Sequence, residues 1–180
     1  MSEAVQTLEG WYALHDFYHI DWTAWKALGA EERRQAAEDL KAYVAECLEA
    51  DEAGTGSFAF YTIVGQKADF VFMHLAETLG KLNELETKFR RTSFSDVTIP
   101  AYSYVSVVEL SNYTAKPGVD PMEQPEIAAR LKPKLPKAGH ICFYPMNKKR
   151  SGADNWYMLS MEQRREMMRS HGMIGRSYAG

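Results

Sequence analysis

The stretch SFAFYTIVGQKADFVFMHL, residues 57–75, contains two short apolar segments on either side of a turn. Ser57–Val64 and Asp69–Leu75 are rich in aromatic and β-branched residues, which favour strands. Gly65 lies in the short connection between them, where a turn needs a residue with a permissive backbone. The stretch therefore predicts a β-hairpin, and its neighbours decide which fold the hairpin belongs to.

A strand and a helix are predicted on each side of the hairpin. Upstream, Trp11–Ile20 is typical of a strand with its exit loop, and Trp22–Glu52 has the apolar spacing of a long helix. Downstream, Glu77–Arg91 predicts a second helix and Ala101–Leu110 a fourth strand. The order β-α-β-β-α-β predicts an α+β fold built on a ferredoxin-like repeat.

The second half of the chain begins with a long connection, Lys116–Gly139, in which Pro125–Leu131 predicts a short helix. His140–Met146 then predicts a strand, and Trp156–Leu159 extends it or pairs with it. Ser160 and Gln163 have the spacing of a capping box. They predict a helix that runs to His171 and is ended by Gly172.

We divide the chain into an N-terminal repeat (1–115), a connecting segment (116–138) and the start of a second repeat (139–180). A half-built repeat would leave strand edges uncovered. We therefore expect the sequence to be shorter than the natural protein, or a partner subunit to complete the sheet.

The bulk properties exclude some classes of function. The chain has 180 residues, 46% of them hydrophobic, and a net charge of −3 with a pI near 6.0. This charge gives no reason to expect a nucleic acid as a partner. We expect Cys47 and Cys142 to be small buried hydrophobes. A signal peptide and a transmembrane run are not evident, so we expect a cytoplasmic protein.

His171 follows a methionine-rich stretch and is a candidate metal ligand. A neutral imidazole is a frequent axial ligand of haem iron, although a lone histidine is more often an ordinary polar group. Nearby apolar side chains could form the wall that a porphyrin face requires, although methionines are more often core filler. These side chains are Met167, Met168, Met173 and Ile174.

The run FYPMNKKR, residues 143–150, holds a second group of candidates. In a strand, alternation places Tyr144, Met146 and Lys148 on one face. A phenol beside an ammonium group would suit a substrate with carboxylates, whereas the ordinary interpretation is a strand that ends in solvated charges. Further candidates, each equally an ordinary surface residue, are Arg130, Lys132, Lys134, Asn112, Tyr113 and Arg176.

The runs HICFYPMNKKR (140–150) and NWYMLSMEQRREMMRSHGMIGRSYAG (155–180) strongly resemble the chlorite-dismutase-like superfamily. Within it, the resemblance is strongest to the coproheme decarboxylase branch of Gram-positive bacteria. WYALHDFYHIDW (11–22) and YSYVSVVELSNY (102–113) fit the same family, so the resemblance spans essentially the whole chain.

The resemblance implies two ferredoxin-like repeats that form a dimeric α+β barrel, with a porphyrin in the C-terminal repeat and a homopentameric assembly. The second repeat would be incomplete at Gly180. The distal residue over the iron, which separates the family's branches, would lie beyond that point.

The implied reaction is the decarboxylation of iron coproporphyrin III (coproheme) to haem b. Hydrogen peroxide is the oxidant, two propionates become vinyls, and the porphyrin is both substrate and redox centre, without a separate cofactor. His171 matches the axial iron ligand and Tyr144 the radical-carrying tyrosine. The implied substrate contacts are Arg130, Tyr144, Pro145, Met146, Asn147 and Lys148, with Asn112 and Arg176 as weaker candidates.

Two other functions are compatible with the same residues. One is a chlorite dismutase or haem peroxidase on the same fold, and the other is a haem-binding protein without enzymatic activity. A Tyr144→Phe variant would separate the first from a decarboxylase, because only decarboxylation depends on the phenol.

Overall fold

A computed structural model describes residues 7–111, 119–120 and 123–178. The described chain forms two compact units, residues 7–137 and residues 138–178. Among the helices in these ranges, none is long and apolar enough to cross a membrane.

The N-terminal unit is a four-stranded sheet in the order β2-β3-β1-β4, with every neighbouring pair antiparallel. The strands are β1 (Thr7–Ile20), β2 (Gly56–Thr62), β3 (Phe70–Ala76) and β4 (Thr98–Ser111). The helices between them are α1 (Trp22–Ala27), α2 (Ala30–Glu52) and α3 (Leu79–Arg90). This arrangement confirms the predicted ferredoxin-like α+β fold, including the hairpin of residues 57–75.

An aromatic cluster forms the core between the sheet and its helices. Tyr18, Phe70 and Phe72 from the strands meet Tyr43 of α2 and Phe89 of α3, and each is at most 5% exposed. Phe89 lies 4.9 Å, centroid to centroid, from both Tyr18 and Phe72. Tilted aromatic pairs at this distance are favourable beyond the area they bury.

The long helix predicted over residues 22–52 is wrong at one point, because two helices replace it. The Asp21 carboxylate accepts the N–H groups of Thr23 and Ala24 and caps α1. Leu28 then adopts an extended conformation, and the Gly29 N–H donates to the Glu32 carboxylate at 2.7 Å. Each of the two helices therefore has its own N-terminal cap, although the apolar spacing of residues 22–52 predicted one helix.

The opposite face of the sheet receives the segment that follows α4 (Pro125–Leu131). Leu135 packs on Trp11, Ala13 and Leu75. Its backbone N–H donates to the Ser57 hydroxyl at 2.8 Å, and that hydroxyl donates to the buried Asp51 carboxylate at 2.7 Å. We call residues 131–136 the connector; its backbone and side chains are held on the sheet.

The connector also passes very close to β1. A Cβ atom on Gly10 would lie 2.0 Å from the Leu131 carbonyl oxygen, so the backbones meet only because Gly10 has no side chain. The Lys134 ammonium donates to the Asp51 carbonyl at 2.8 Å, and the Tyr61 hydroxyl donates to the Pro136 carbonyl at 3.3 Å.

The C-terminal unit departs from three predictions. Residues 140–146 form no strand in the described structure, because no other described segment pairs with their backbone. Trp156–Met158 is a short 3₁₀-helix rather than a strand. The helix α5 (Met161–Ser177) continues through Gly172, because its i→i−4 hydrogen bonds outweigh the modest cost of an interior glycine.

The two cysteines differ in their environment. Cys47 is 3% exposed in the aromatic core, as predicted. Cys142 is exposed, so the prediction that it is buried was wrong. It was tied to the strand over residues 140–146, which is not formed.

Candidate functional site

Helix α5 carries His171 on an exposed apolar face. The helix begins with the predicted capping box, in which the Ser160 hydroxyl accepts the Gln163 N–H and the Gln163 side chain accepts the Ser160 N–H. At about 100° per residue, Met167, Met168 and Ile174 lie within about 60° of His171. Their side chains are 53%, 42% and 60% exposed. His171 is also exposed and has no hydrogen-bond or ion-pair partner among the described residues.

Two residues that the sequence grouped with His171 point elsewhere. Met173 lies about 160° and Arg176 about 140° around the helix from it. The Arg176 guanidinium donates to the Gly172 carbonyl of the same helix at 3.1 Å. The structure therefore keeps Met167, Met168 and Ile174 as neighbours of His171 and separates Met173 and Arg176 from it.

The candidate segment 144–148 is exposed and lies in no helix or strand. Tyr144 is 65% and Met146 80% exposed, and Pro145 and Asn147 are exposed as well. The Lys148 ammonium lies over the ring of Trp156, 5.0 Å from its centroid. Among the described residues, the backbone of this segment joins no sheet, so its side chains present themselves to solvent.

Sequence reasoning missed two cation–π contacts in and after this segment, in which an aromatic ring lies under a cationic side chain. Arg150 lies over the ring of Tyr157 at 5.0 Å, as Lys148 lies over Trp156. The two carbonyls of this aromatic pair accept hydrogen bonds from Arg164, which is only 3% exposed. The available signal was three consecutive cations followed closely by WY, but sequence alone does not show which ring meets which cation.

The remaining candidates are divided between the units. Arg130 is an exposed residue in the last turn of α4, and Lys132 is exposed just after it. Lys134 is held by the Asp51 carbonyl. All three belong to the N-terminal unit, whereas Tyr144, Lys148, His171 and Arg176 belong to the C-terminal unit. Asn112 and Tyr113 lie outside the described residues.

Charge is distributed unevenly along the chain. Residues 138–178 hold seven Lys and Arg against three Asp and Glu, although the whole chain has a net charge of −3. The unit that carries His171 and Tyr144 thus has more cations than anions, although the whole chain is acidic. Such a local excess favours an anionic ligand.

Comparison with known proteins identifies the family. The family model for chlorite dismutase matches residues 33–180. The chain belongs to the chlorite dismutase family. Its match includes α5 with His171 and the whole segment from Tyr144 to Lys148, so every candidate of the C-terminal unit lies inside the family's sequence pattern.

Solved structures of chlorite dismutase-like proteins share the fold. A novel heme-binding protein from Thermus thermophilus is 46% identical, with a TM-score of 0.89, over 99% of this chain and 71% of its own. A variant of chlorite dismutase from Candidatus Nitrospira defluvii is 20% identical, with a TM-score of 0.58, over 91% of this chain and 63% of its own. The second likeness shows the fold alone.

Proposed function

We propose that this protein is a coproheme decarboxylase, which converts iron coproporphyrin III to haem b with hydrogen peroxide as the oxidant. The observation that carries the proposal is the partner-free His171 imidazole on an exposed apolar face of α5. The 46% identity to a heme-binding protein supports an iron porphyrin as the ligand. The proposal includes the homopentamer and the cytoplasmic location expected from the resemblance.

The residues present fit an iron porphyrin. A histidine that serves as the axial ligand needs a ring nitrogen without another partner, and a porphyrin face needs an apolar surface. His171 offers the first, and Met167, Met168 and Ile174 offer the second on the same side of α5. The carboxylates of coproheme need cations, which the C-terminal unit holds in excess.

Atoms and electrons must balance in each decarboxylation. A propionate loses carbon dioxide, one hydrogen atom and one electron and becomes a vinyl group. One hydrogen peroxide accepts the two electrons and, with protons, gives two waters. The bound iron porphyrin supplies the redox chemistry with peroxide. Tyr144 supplies a phenol that, once it has lost one electron and one proton, takes the hydrogen atom from the propionate and is thereby restored to the O–H form.

The other residues of the segment bind and orient the substrate. Lys148 keeps its N–H donors available while its ammonium lies over Trp156, so it can pair with a propionate. Arg130 is an exposed guanidinium that can bind a carboxylate through two N–H groups. A charged hydrogen bond of this kind is worth about 1.5–3 kcal/mol. We propose Pro145, Met146 and Asn147 as further substrate contacts, and Asn112 and Arg176 as weaker ones.

The test is an anaerobic titration of the purified protein with ferric coproheme, followed by hydrogen peroxide and mass spectrometry of the porphyrin. We expect two successive losses of a carboxyl group. A Tyr144→Phe variant should bind coproheme but release no carbon dioxide, whereas the control Tyr178→Phe, which removes another exposed phenol, should react normally. Tight binding followed only by bleaching would overturn the decarboxylase and favour a peroxidase or a carrier.

A further inference from the structure

Lys148 and Arg150 are two cations held by neighbouring aromatic rings. The Lys148 ammonium and the Arg150 guanidinium each lie 5.0 Å from a ring centroid, on Trp156 and Tyr157 respectively. A fully extended chain spans at most about 3.3–3.6 Å per residue, so the Cα atoms of Lys148 and Arg150 lie no more than about 7 Å apart. Two cations whose backbones are close together thus lie over the rings of two consecutive residues.

Lys149, which lies between them in the sequence, has a different partner. Lys149 lies 3.4 Å from the Asp154 carboxylate and is paired with that charge. An aromatic ring, in contrast, attracts a cation through its electron-rich face and carries no net charge. Among the described residues, Lys148 and Arg150 thus have no carboxylate partner, whereas Lys149 is paired with Asp154.

Hydrogen bonds hold the backbone that carries the two rings. The Arg164 guanidinium donates to the Trp156 carbonyl at 3.2 Å and to the Tyr157 carbonyl at 2.8 Å. The Asn155 amide donates to the Arg150 carbonyl at 2.6 Å, and its oxygen accepts the Tyr157 N–H at 3.0 Å. These hydrogen bonds within residues 150–164 hold both rings in place without a ligand. Such preorganisation lowers the entropic cost of binding.

We infer that Lys148 and Arg150 form one binding site for a pair of carboxylates, with Arg150 as an anion contact that the proposed function does not require. Its ligand class is a compound with at least two carboxylates on one rigid edge, as a porphyrin with propionate side chains provides. The inference rests on the proposed function, because it assigns Arg150 to the same substrate as Lys148.

The test compares Arg150→Gln with Lys149→Gln, which removes the neighbouring compensated charge. Binding of ferric coproporphyrin and of ferric octaethylporphyrin, which has no carboxylates, is measured by absorbance titration in detergent. We expect Arg150→Gln to weaken coproporphyrin binding by roughly tenfold or more, because a charged hydrogen bond is lost. Lys149→Gln should weaken it by less than about threefold. Arg150→Lys, which keeps the charge, should bind better than Arg150→Gln.

Three outcomes would overturn the inference, and they are distinguishable. Equal affinities of Arg150→Gln and Lys149→Gln for coproporphyrin would overturn it and leave the proposed function standing. An equal loss for both porphyrins would show that Arg150 only supports the loop. Failure of the unsubstituted protein to bind coproporphyrin at all would overturn the proposed function and the inference together.

Discussion

His171 differs from the other histidines because it is exposed on an apolar helix face. Replacing it with alanine removes the proposed axial nitrogen and leaves Met167, Met168 and Ile174 in place. We expect His171→Ala to lose the absorption spectrum of a histidine-ligated iron porphyrin and to bind ferric coproporphyrin at least about tenfold more weakly. His140→Ala removes another exposed histidine of the same unit and is the control. Unchanged spectra in both variants would disprove the ligation.

His74 lies at the opposite extreme, in the core of the N-terminal unit. It is 2% exposed, and its Nε2 shares a hydrogen bond of 3.0 Å with the Tyr43 hydroxyl. Burial lowers the pKa of His74 to about 3 and raises the pKa of Cys47 to about 11. Both groups are therefore uncharged in the folded protein at neutral pH, and the core contains no titrating switch at these positions.

His74 should make the fold sensitive to acid. Above pH 6.5 the imidazole is neutral in both states and has no effect on the pH dependence. Between pH 6.5 and 3 only the unfolded chain gains the proton, so the free energy of unfolding falls as the pH falls. At pH 4.5 the loss should be on the order of 2–3 kcal/mol.

The measurement is urea unfolding of the unsubstituted protein and of His74→Gln between pH 7 and 4. Glutamine is neutral at every pH, so we expect a flatter profile for the variant, whatever its stability at pH 7. Parallel profiles would show that His74 is not the group responsible.

At the scale of elements, Arg164 joins α5 to the turn before it. Its guanidinium spans the Trp156 and Tyr157 carbonyls and is buried. We expect Arg164→Met, which keeps an unbranched side chain but removes the guanidinium, to cost about 1.5–3 kcal/mol and to speed hydrogen exchange in the first turns of α5 several-fold. Arg169→Met removes an exposed arginine paired with Glu166 and should change nothing measurable. Equal exchange in both variants would contradict this role.

Elements with a complete local signal were predictable, and elements that depend on distant partners were not. The Ser160 and Gln163 capping box needs only four residues, and it is present. The ferredoxin-like order followed from strand composition and helical spacing. A strand over residues 140–146 requires a neighbour that no local pattern specifies, and among the described residues none is there.

The candidate site stays a prediction, and the structure separates what the sequence could indicate about it from what it could not. The residues themselves made His171 and the Tyr144 segment candidates, and the family resemblance gave them their roles, because composition gives no distances. The geometry of α5 places Met173 and Arg176 on a different side of the helix from His171. A helical rotation of about 100° per residue, applied to the sequence, would have shown this. The cation–π contact between Arg150 and Tyr157 depends on the path of the loop between them, so only the structure reveals it.

At the scale of the molecule, the docking of the connector on the sheet leaves no room for a side chain at Gly10. A methyl group on Gly10 would meet the Leu131 carbonyl, carbon and Cα at 2.0–2.8 Å, and backbone cannot give way cheaply. We expect Gly10→Ala to lower the free energy of unfolding by about 1–3 kcal/mol. Gly139→Ala, where nothing lies within 4 Å, is the matched control and should leave the melting temperature unchanged. A Gly10→Ala variant as stable as the control would disprove the close approach.

The connector also has a consequence for the order of events in folding. Gly10 belongs to β1 and Ser57 to β2, and β3 lies between these strands in the sheet. The surface that receives residues 131–136 therefore exists only after three strands have paired. Contacts made after the rate-limiting step have φ-values near zero. We thus expect Ser57→Ala to accelerate unfolding while refolding proceeds at its usual rate.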